Sequence, residues 1–575
     1  MSTAGATSVV RALEDEGIEL AFGIPGTHNI ELYDALALSE RTRAVLVTDE
    51  QSASFMADGA WRASGKMACV NVVPGAGLTH AMSGIAEAFM DGVPMLVLGC
   101  GIRRDSGRAF QLHDVDQTAI VRPVTKAQLR TEAGEEIYRV VRDACRIARD
   151  ACPGPVFVEI PANLYLLTHS GDLPYSPPPA ERRAPSAEQL ERAVALLTGK
   201  RPLIYAGLGA SGVDLVPLAE MLDAPVATTF SGKGVFPEHH PLSLWCGFGA
   251  SAPPFARRIA GDCDATLVIG ARFGEVATGS YGVEPRRPMI HVDIAENVIG
   301  RNYPADLAII ADAAEFVPAL TERIARRTPD PELRKKIAAG HVEVRKDWED
   351  HASKDRVTPQ RLLAACSARF GKQAAFSTDS GNGTFLAMEM LRLEGPRRFL
   401  APVDYSCMGY SVPAALGAKL AEPQRPVIAL AGDGAFLMTG MELLTASNEG
   451  IAAVIVVLRD GELAQIAQFQ QTAMNRKTKS VLPPYDLRAL CQGLGVECLT
   501  LARDADIVET LSRAVEITER GEPVVIDAAI DYSQRTWFTK GVVKTNLLRL
   551  PLKDQLRFIG RAVARKFTRP SKGGA

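Results

Sequence analysis

The chain has 575 residues, too many for a single hydrophobic core, and domains of the usual ~100–200 residues predict three or four units. A formal net charge of −3 gives no reason to expect nucleic acid as a partner. The 10 cysteines form no CxxC pair and no Cys/His cluster, which argues against a zinc site or a disulfide framework and fits a reducing cytoplasm.

The N-terminus, MSTAGATSVVRALEDEG, is a poor signal peptide because acidic residues interrupt any apolar run. No later stretch stays apolar over the ~18–20 residues of a membrane span, so we expect a cytoplasmic protein. Strand and helix patterns alternate along the chain, which predicts an α/β fold of parallel sheets covered by helices. The first domain is predicted over residues 1–170, where apolar runs end in glycine turns such as ELAFGIPG and MACVNVVPGAG.

A proline-rich linker precedes the second domain, predicted over residues 185–335, where PLIYAG, ATLVIG and PMIHVDI have the composition of buried parallel strands. A GxGxxG sequence at 207–212 is weak evidence of a dinucleotide site, because no suitably placed acidic residue follows about twenty positions on. The third domain, predicted over residues 356–535, contains the strands AAFSTD, PVIALAGD, AAVIVVL and PVVIDAAI. The sequence thus predicts three doubly wound parallel-sheet domains.

The last forty residues, 536–575, contain ten basic side chains and a single acid, Asp554. Apolar residues recur there at helical spacing, with the basic residues mostly between them: Leu552, Leu556, Ile559, Val563 and Phe567. A basic amphipathic helix of this kind can lie on an anionic membrane surface, and it can equally pack over its own subunit or a partner. We favour the second interpretation.

Two strand ends of the third domain carry acidic residues. One predicted strand ends at Gly432-Asp433-Gly434, and the next ends at Asp460, 27 positions after Asp433 (460 − 433 = 27). Parallel strands joined by one helix present their carboxyl ends at the same sheet edge, so the two aspartates should meet in one crevice. Such oxygen ligands suit Mg²⁺, the glycines let the backbone approach a diphosphate, and the following helix would hold its charge. Asp460 weakens the alternative that GDG is an ordinary turn.

This segment resembles the diphosphate-binding motif of thiamine-diphosphate enzymes, in which GDG is followed by a paired-asparagine turn. Arg459-Asp460 replaces the asparagine pair here, although an aspartate can still ligate magnesium. The resemblance implies three metal ligands: Asp433, Asp460 and the backbone carbonyl of Glu462. It implies that thiamine diphosphate is also contacted by the following residues: Gly432, Gly434, Ala435, Gly381, Asn382 and Gly383.

The first domain carries Glu50 at the end of an apolar strand, after FGIPG at 22–26. In the family a glutamate at this spacing is hydrogen-bonded to N1′ of the aminopyrimidine, and its proton favours the imino tautomer that activates the thiazolium. An isolated glutamate would instead be interpreted as a helix cap. In the third domain, the turn from Ser406 to Gly409 resembles the one that bends the cofactor, with Met408 between its rings and the Ser406 carbonyl accepting from the 4′-amine.

The resemblance extends over nearly the whole chain and is to the acetolactate-synthase branch. It implies that the cofactor lies between the first domain of one subunit and the third domain of its partner, in a homodimer or homotetramer. Thr27 and Ile466 stand where simple pyruvate decarboxylases carry acids that release the aldehyde. We therefore expect decarboxylation of a pyruvate-like 2-oxo acid followed by carboligation to a second carbonyl.

Other residues are candidates for the substrate pocket. Gln465, Ile466 and Phe469 resemble the branch's pocket helix, and Phe469 replaces a tryptophan tied to the choice of acceptor, so the acceptor stays open. Further candidate catalytic groups are Thr27, His28, His113 and Gln117. Two extra residues surround His113 relative to the branch, and a lone histidine is more often an ordinary side chain.

Three alternatives to the carboligase remain open. Arg272, in GARFG, matches a flavin-contacting arginine of the branch, so FAD is a possible cofactor and a pyruvate-oxidase-type enzyme at the membrane surface is one alternative. A decarboxylase that does not carboligate is another. The third is a catalytically silent subunit, against which the intact Glu50 and GDG motif argue.

Overall fold

The computed structural model describes residues 3–171, 174–179 and 182–567. Within them, three six-stranded parallel sheets follow one another along the chain, each flanked by helices. The predicted α/β fold class is confirmed, while the exact domain boundaries stay predictions. In the same described ranges, no helix combines the length and the hydropathy needed to cross a bilayer.

The N-terminal sheet has strands that are largely buried, as expected for a sheet covered on both faces. The strands of the N-terminal domain are β1 (Thr3–Ala4), β2 (Leu20–Gly23), β3 (Arg43–Leu46), β4 (Cys69–Val72), β5 (Met95–Gly101), β6 (Ala127–Arg130), β7 (Pro155–Pro161) and β8 (Thr168–His169). Its helices are α1 (Gly5–Asp15), α2 (Ile30–Ala37), α3 (Glu50–Ser64), α4 (Ala76–Asp91), α5 (Gln117–Val121), α6 (Ile137–Arg149) and α7 (Ala162–Leu166). The parallel strands lie in the order β3-β2-β4-β5-β7-β6, while β1 pairs antiparallel with β8.

The central sheet has a different strand order from the N-terminal sheet. Its strands are β9 (Pro202–Ala206), β10 (Val226–Thr228), β11 (Ser243–Cys246), β12 (Ala265–Ile269), β13 (Met289–Asp293) and β14 (Leu307–Ile310). Its helices are α8 (Ala187–Leu197), α9 (Val216–Leu222), α10 (Pro254–Gly261), α11 (Ala313–Thr321) and α12 (Pro331–Glu349). The order is β11-β10-β9-β12-β13-β14, so the switch point between β9 and β12 opens a crevice where dinucleotides bind in such sheets.

The C-terminal sheet repeats the order of the N-terminal one. Its strands are β15 (Ala375–Thr378), β16 (Phe399–Leu400), β17 (Val427–Gly432), β18 (Val454–Arg459), β19 (Glu497–Leu501) and β20 (Val524–Ala529). Its helices are α13 (Pro359–Phe370), α14 (Asn382–Met390), α15 (Ser411–Ala421), α16 (Asp433–Thr439), α17 (Leu443–Asn448), α18 (Ala464–Met474), α19 (Leu487–Gly493) and α20 (Ile507–Glu519). These strands lie in the order β16-β15-β17-β18-β20-β19.

The predicted C-terminal tail forms two helices, α21 (Trp537–Arg549) and α22 (Leu552–Phe567), as expected from its periodicity. The side chain of Asn475, just after α18, donates to the carbonyl of Arg565 at 2.8 Å, and the Arg565 guanidinium donates to the Met474 carbonyl at 3.0 Å. The tail therefore packs over the C-terminal end of the helix that carries the predicted substrate pocket.

Helices α3 and α15 hold the N-terminal and C-terminal domains together at backbone contact. A Cβ added to Gly59 would lie 2.1 Å from the Ala414 carbonyl oxygen, and one added to Gly417 would lie 2.0 Å from that of Met56. These helices can meet so closely only because glycine has no side chain. The two outer domains therefore form a closely packed unit within one chain.

A buried charge cluster lies beside this helix contact. Arg62 donates to Asp58 at 2.6 Å and to Asp91 at 2.8 Å, and the Tyr410 hydroxyl of α15 donates to Asp58. Burial raises the pKa of Asp58, while Arg62 opposes that shift. Because an unpaired buried charge is costly, removing one member of this cluster would destabilise the domain contact.

Candidate active site

The predicted cofactor-binding residues lie at the carboxyl ends of three neighbouring strands of the C-terminal sheet. Residues 381–383 follow β15, residues 432–434 follow β17, and residues 460–462 follow β18. A Cβ added at Gly381, Gly432 or Gly461 would meet no heavy atom within 4 Å. The sheet edge is therefore an open cradle lined by glycine backbone, which has the shape that a diphosphate needs.

Asp433 and Asp460 meet at this edge, as the strand pattern predicts. The Asp433 side chain is 1% exposed and accepts from the Gly461 amide at 2.8 Å, while Asp460 accepts from the Glu462 amide at 3.2 Å. Burial and the charge of Asp433 raise the pKa of Asp460 to about 7, and burial also raises the pKa of Asp433. Two partly desolvated carboxyl groups side by side suit a divalent cation held together with a diphosphate.

The remaining residues of the metal and diphosphate set lie close by. The Glu462 side chain forms an ion pair with Lys477. The backbone of Glu462 pairs with Val481 in an isolated β-bridge, so the backbone, rather than the side chain, borders the crevice. Gly434 and Ala435 are buried in the first turn of α16, and Asn382 begins α14. The donor set of carboxylates and backbone groups fits magnesium and diphosphate.

The turn with Met408 is fixed against this cradle. Ser406 has φ of +66°, and the Asp379 carboxylate accepts from the amides of Gly409 at 2.9 Å and Ser411 at 3.0 Å. The methyl group of Met408 lies 3.8 Å from the position of a Cβ on Gly434. Met408 therefore lies beside the GDG turn, in a position suited to support the rings of a bent cofactor.

Glu50 is the first residue of α3 and is 7% exposed. The helix cap is provided by its neighbour, because Asp49 accepts from the Gln51 amide at 2.7 Å. The Glu50 carboxyl group instead faces α4, where a Cβ on Gly77 would lie 2.8 Å from Oε1 and His80 Nδ1 lies 3.4 Å from Oε2. The interpretation of Glu50 as a helix cap is therefore wrong, and its carboxyl group is left for other chemistry.

Thr27, His28 and His113 meet at the corresponding end of the N-terminal sheet. The Thr27 hydroxyl lies 3.1 Å from His28 Nδ1, and the rings of His28 and His113 are 5.4 Å apart in an edge-to-face arrangement. Burial, with His113 as a second cause, lowers the pKa of His28. A neutral imidazole at this place can orient a carbonyl or carboxylate by hydrogen bonding.

Gln117 has a different environment from these three residues. It is buried, its amide nitrogen donates to the Cys100 carbonyl at 2.9 Å, and its oxygen accepts from the Gly75 amide at 3.2 Å. Both polar atoms are thus engaged by backbone, one in β5 and the other at the start of α4. The geometry supports a role for Gln117 in positioning α4, the helix that faces Glu50.

The three substrate-pocket candidates lie on or next to α18, directly after the loop of Asp460 and Glu462. Ile466 is 49% exposed, while Gln465 and Phe469 are half-buried. In a single chain this side of α18 is therefore open. The predicted pocket residues would be enclosed only if a second surface packed against this side of α18.

Three residues near the site were missed by sequence reasoning. They are Asp379, which holds the Met408 turn; His80, which faces Glu50; and Glu442, which accepts from the Thr48 amide at 2.9 Å just before Glu50. Asp379 ends the strand AAFSTD in the same way that Asp433 ends PVIALAGD, and that signal could have found it. Nothing in the local sequence marks His80 or Glu442.

The crevice of the central domain is a separate cavity of about 330 Å³ at the switch point between β9 and β12. Arg272 lines it and forms a 2.6 Å ion pair with Asp404, while Asp293, at the end of β13, also borders it. Burial raises the pKa of Asp293, and burial with the nearby Asp91 raises the pKa of Asp404 to about 6.

Three family models match successive parts of the chain. Residues 3–120 match the thiamine pyrophosphate enzyme N-terminal TPP binding domain, residues 190–320 its central domain, and residues 379–528 its C-terminal TPP binding domain. Together they cover well over half of the sequence. The chain therefore belongs to the thiamine pyrophosphate enzyme family.

Individual relatives narrow the class further. The chain is 32% identical over 557 residues to a probable acetolactate synthase large subunit of Methanocaldococcus jannaschii, covering 92% of each chain. It is 30% identical to an acetolactate synthase large subunit of Corynebacterium glutamicum, covering 93% of this chain and 88% of the relative. It is 29% identical to isozyme 3 of Escherichia coli, covering 93% and 96%. The predicted acetolactate-synthase-like branch of thiamine-diphosphate-dependent enzymes is thereby confirmed.

Proposed function

We propose that this enzyme decarboxylates a pyruvate-like 2-oxo acid and joins the remaining fragment to a second carbonyl compound. The carboligase assignment depends on one observation: Thr27 and Ile466 replace the acids with which simple decarboxylases release an aldehyde. The group beside Thr27 is His28, against which His113 packs. The similarity to acetolactate synthases supports the same conclusion.

The residues of the chain divide the work between two sheet edges. Asp433, Asp460 and the backbone of Glu462 would hold Mg²⁺, and the glycine cradle would hold the diphosphate. Thiamine diphosphate, when bound, supplies a thiazolium carbon that adds to the 2-oxo acid and accepts the electrons released with CO₂. Glu50 would hold a proton at N1′ of its pyrimidine, in a position shielded from water.

The test is product analysis with protein reconstituted with Mg²⁺ and thiamine diphosphate. Incubation with pyruvate alone, and with pyruvate plus a second 2-oxo acid, should yield acetolactate or a homologous 2-hydroxy-2-alkyl acid. Acetaldehyde as the sole product would make the protein a non-carboligating decarboxylase. Reduction of an electron-accepting dye without carboligation would make it an oxidase of the pyruvate-oxidase type.

A homodimer or a homotetramer is part of the proposal. The family resemblance places the cofactor between two copies. Its support here is an exposed apolar patch around the GDG helix, each member about half exposed: Leu46, Leu437, Met438, Met441 and Leu444. Light scattering should show a dimer or larger, and a Met438→Lys/Met441→Lys variant should dissociate, whereas Val508→Lys, an exposed control on α20, should not. A monomeric wild-type protein would overturn this part.

FAD in the central cavity is a second, separable part of the proposal. Arg272 borders the cavity at the switch point, where doubly wound sheets bind dinucleotides. Purified or FAD-reconstituted protein should show a flavin absorption band, which an Arg272→Ala variant should weaken. A colourless protein after incubation with FAD would remove the flavin, and with it the oxidase alternative.

Peripheral contact of the tail with a membrane remains the alternative for α22, while a cytoplasmic setting stays a prediction. Four apolar residues of α22 are about half or more exposed: Leu552, Leu556, Ile559 and Val563. Anionic liposomes should pellet the full chain but not a protein truncated after Asn546 if the helix binds lipid. Equal pelleting would leave packing over α18 as the role of the tail.

A further inference from the structure

The loop after β18 departs from the family motif in a way that changes the charge of the metal site. Where the family most often has two asparagines, this chain has Arg459 and Asp460. Asp460 is half-buried beside the buried Asp433, and the Gly461 amide ties the two loops together by donating to Asp433 at 2.8 Å. An asparagine would add a neutral oxygen here, whereas Asp460 adds a second carboxyl group that becomes negatively charged when it ionises.

The neighbouring cations do not cancel this charge by direct pairing. The Arg459 guanidinium donates to Asp527 at 2.6 Å and lies over the ring of Tyr485, on the side of β18 that faces β20. Lys477 is paired with the Glu462 side chain. Arg356 acts on Asp460 at longer range and donates to the Ile530 carbonyl at 3.0 Å. The two carboxylates therefore share one crevice without an ion-pair partner among these three cations.

Two adjacent carboxylates attract a divalent cation more strongly than one does, and affinity at oxygen sites rises with the number of charged ligands. With a single carboxylate, magnesium depends on the diphosphate oxygens to complete its coordination. We propose that the Asp433–Asp460 pair binds a divalent cation in the absence of thiamine diphosphate, so that the metal precedes the cofactor. This inference rests on the proposed function, because the pair is the metal site of that proposal.

The test uses Mn²⁺ as the probe and full-length protein stripped of metal and cofactor. Electron paramagnetic resonance measures free Mn²⁺ during titration without thiamine diphosphate. The wild-type protein should bind about one Mn²⁺ per chain at least ~tenfold more tightly than Asp460→Asn, which restores the neutral ligand of the family. Asp506→Asn, which removes a partly exposed carboxylate elsewhere in the same domain, should bind as the wild type does. Equal affinities of wild type and Asp460→Asn would overturn the proposal.

A second variant keeps the test decisive if Asp460→Asn fails to fold. Asp527→Asn removes the partner of Arg459 and leaves both metal ligands in place. The freed guanidinium should partly neutralise the pair and weaken Mn²⁺ binding several-fold, whereas unchanged affinity would contradict the charge argument. Calorimetric titration with thiamine diphosphate at saturating Mn²⁺ separates the two proposals: tight Mn²⁺ binding without any cofactor binding would end the proposed function and leave the cation site standing.

Discussion

The N-terminal and C-terminal sheets have the same strand order, yet their strand ends carry different chemistry. In the C-terminal sheet the ends of β15, β17 and β18 form a glycine cradle with two adjacent carboxyl groups. In the N-terminal sheet the equivalent edge has one buried carboxyl group, Glu50, with the neutral His28 and the side chain of His113 nearby. The same topology thus occurs twice with different residue types at the strand ends. In the proposed function, one edge would bind the diphosphate and the other would move a proton.

The central sheet sharpens this comparison because its strand order differs. Its cavity lies where the order reverses, between β9 and β12, and no GDG sequence follows either strand. The outer sheets are joined through α3 and α15 at backbone contact, so the two related crevices are held in a fixed relation within one chain. Each of these two edges carries part of the set of residues predicted to contact thiamine diphosphate.

The largest effect is expected from removing the Glu50 carboxyl group, which is proposed to hold a proton at the N-terminal sheet edge. Glu50→Gln should lower turnover by about 10²–10⁴-fold, the usual contribution of general acid–base catalysis. Binding of thiamine diphosphate should persist, because the C-terminal cradle is untouched. Steady-state kinetics and calorimetric titration measure the two quantities. Asp49→Asn is the matched control: it alters the adjacent cap carboxylate and should retain turnover. Substantial activity of Glu50→Gln would refute the mechanism.

A smaller effect is expected from loosening the contact between the two sheets. Gly59→Ala places a methyl group 2.1 Å from the Ala414 carbonyl oxygen, so the helices must separate. In an unconstrained helix this change would stabilise by about 1 kcal/mol, whereas crowding should here reduce stability by about 1–3 kcal/mol. The thermal midpoint should therefore fall. Gly212→Ala, where a Cβ meets nothing within 4 Å, should leave it unchanged, and a rise for Gly59→Ala would show that the helices are not in contact.

The residues at the strand ends could be predicted from the sequence, whereas the contacts between distant segments could not. Strand ends such as Asp433 and Asp460 follow from local apolar periodicity and from the geometry of parallel strands, so their meeting was predictable. The sequence could not show which of Asp49 and Glu50 caps α3. Both residue types can cap a helix, and backbone geometry decides which one does. Contacts between distant segments, such as Glu442 with Thr48, leave no local pattern at all.

A pH effect is expected at Asp379, the carboxylate that holds the Met408 turn. Burial raises the pKa of Asp379 from its ordinary 3.8 to about 6. Because the folded pKa is raised, the contribution of Asp379 to stability is present below pH 3.8 and is lost as pH rises through about 6. Cofactor affinity should change in the opposite direction: protonation removes an acceptor from the Gly409 and Ser411 amides, so affinity should fall as pH drops through about 6.

Asp379→Asn is the variant that tests the role of this carboxylate. It should weaken thiamine diphosphate binding by about tenfold at neutral pH. The asparagine NH₂ group is itself a donor and cannot accept a hydrogen bond from the Gly409 or Ser411 amide. It should also remove the change in affinity centred near pH 6 and leave a change near pH 7, where Asp460 titrates. Calorimetric titrations of wild type and variant at several pH values measure both. A variant that binds the cofactor as tightly as the wild type, or that keeps the change near pH 6, would show that the carboxylate does not hold the turn.

The smallest effect is expected from the histidines of the N-terminal crevice. Since burial and His113 lower the pKa of His28, its imidazole is neutral near pH 7 and can orient the substrate only by hydrogen bonding. His28→Gln keeps a donor and an acceptor, so KM for the 2-oxo acid should change by no more than about twofold, whereas His28→Ala should raise it up to about tenfold, the value of one hydrogen bond. Steady-state kinetics at pH 7–8 would decide. A loss of turnover comparable to that of Glu50→Gln would instead mean that His28 also transfers a proton. Proton transfer at the N-terminal edge would then not depend on Glu50 alone.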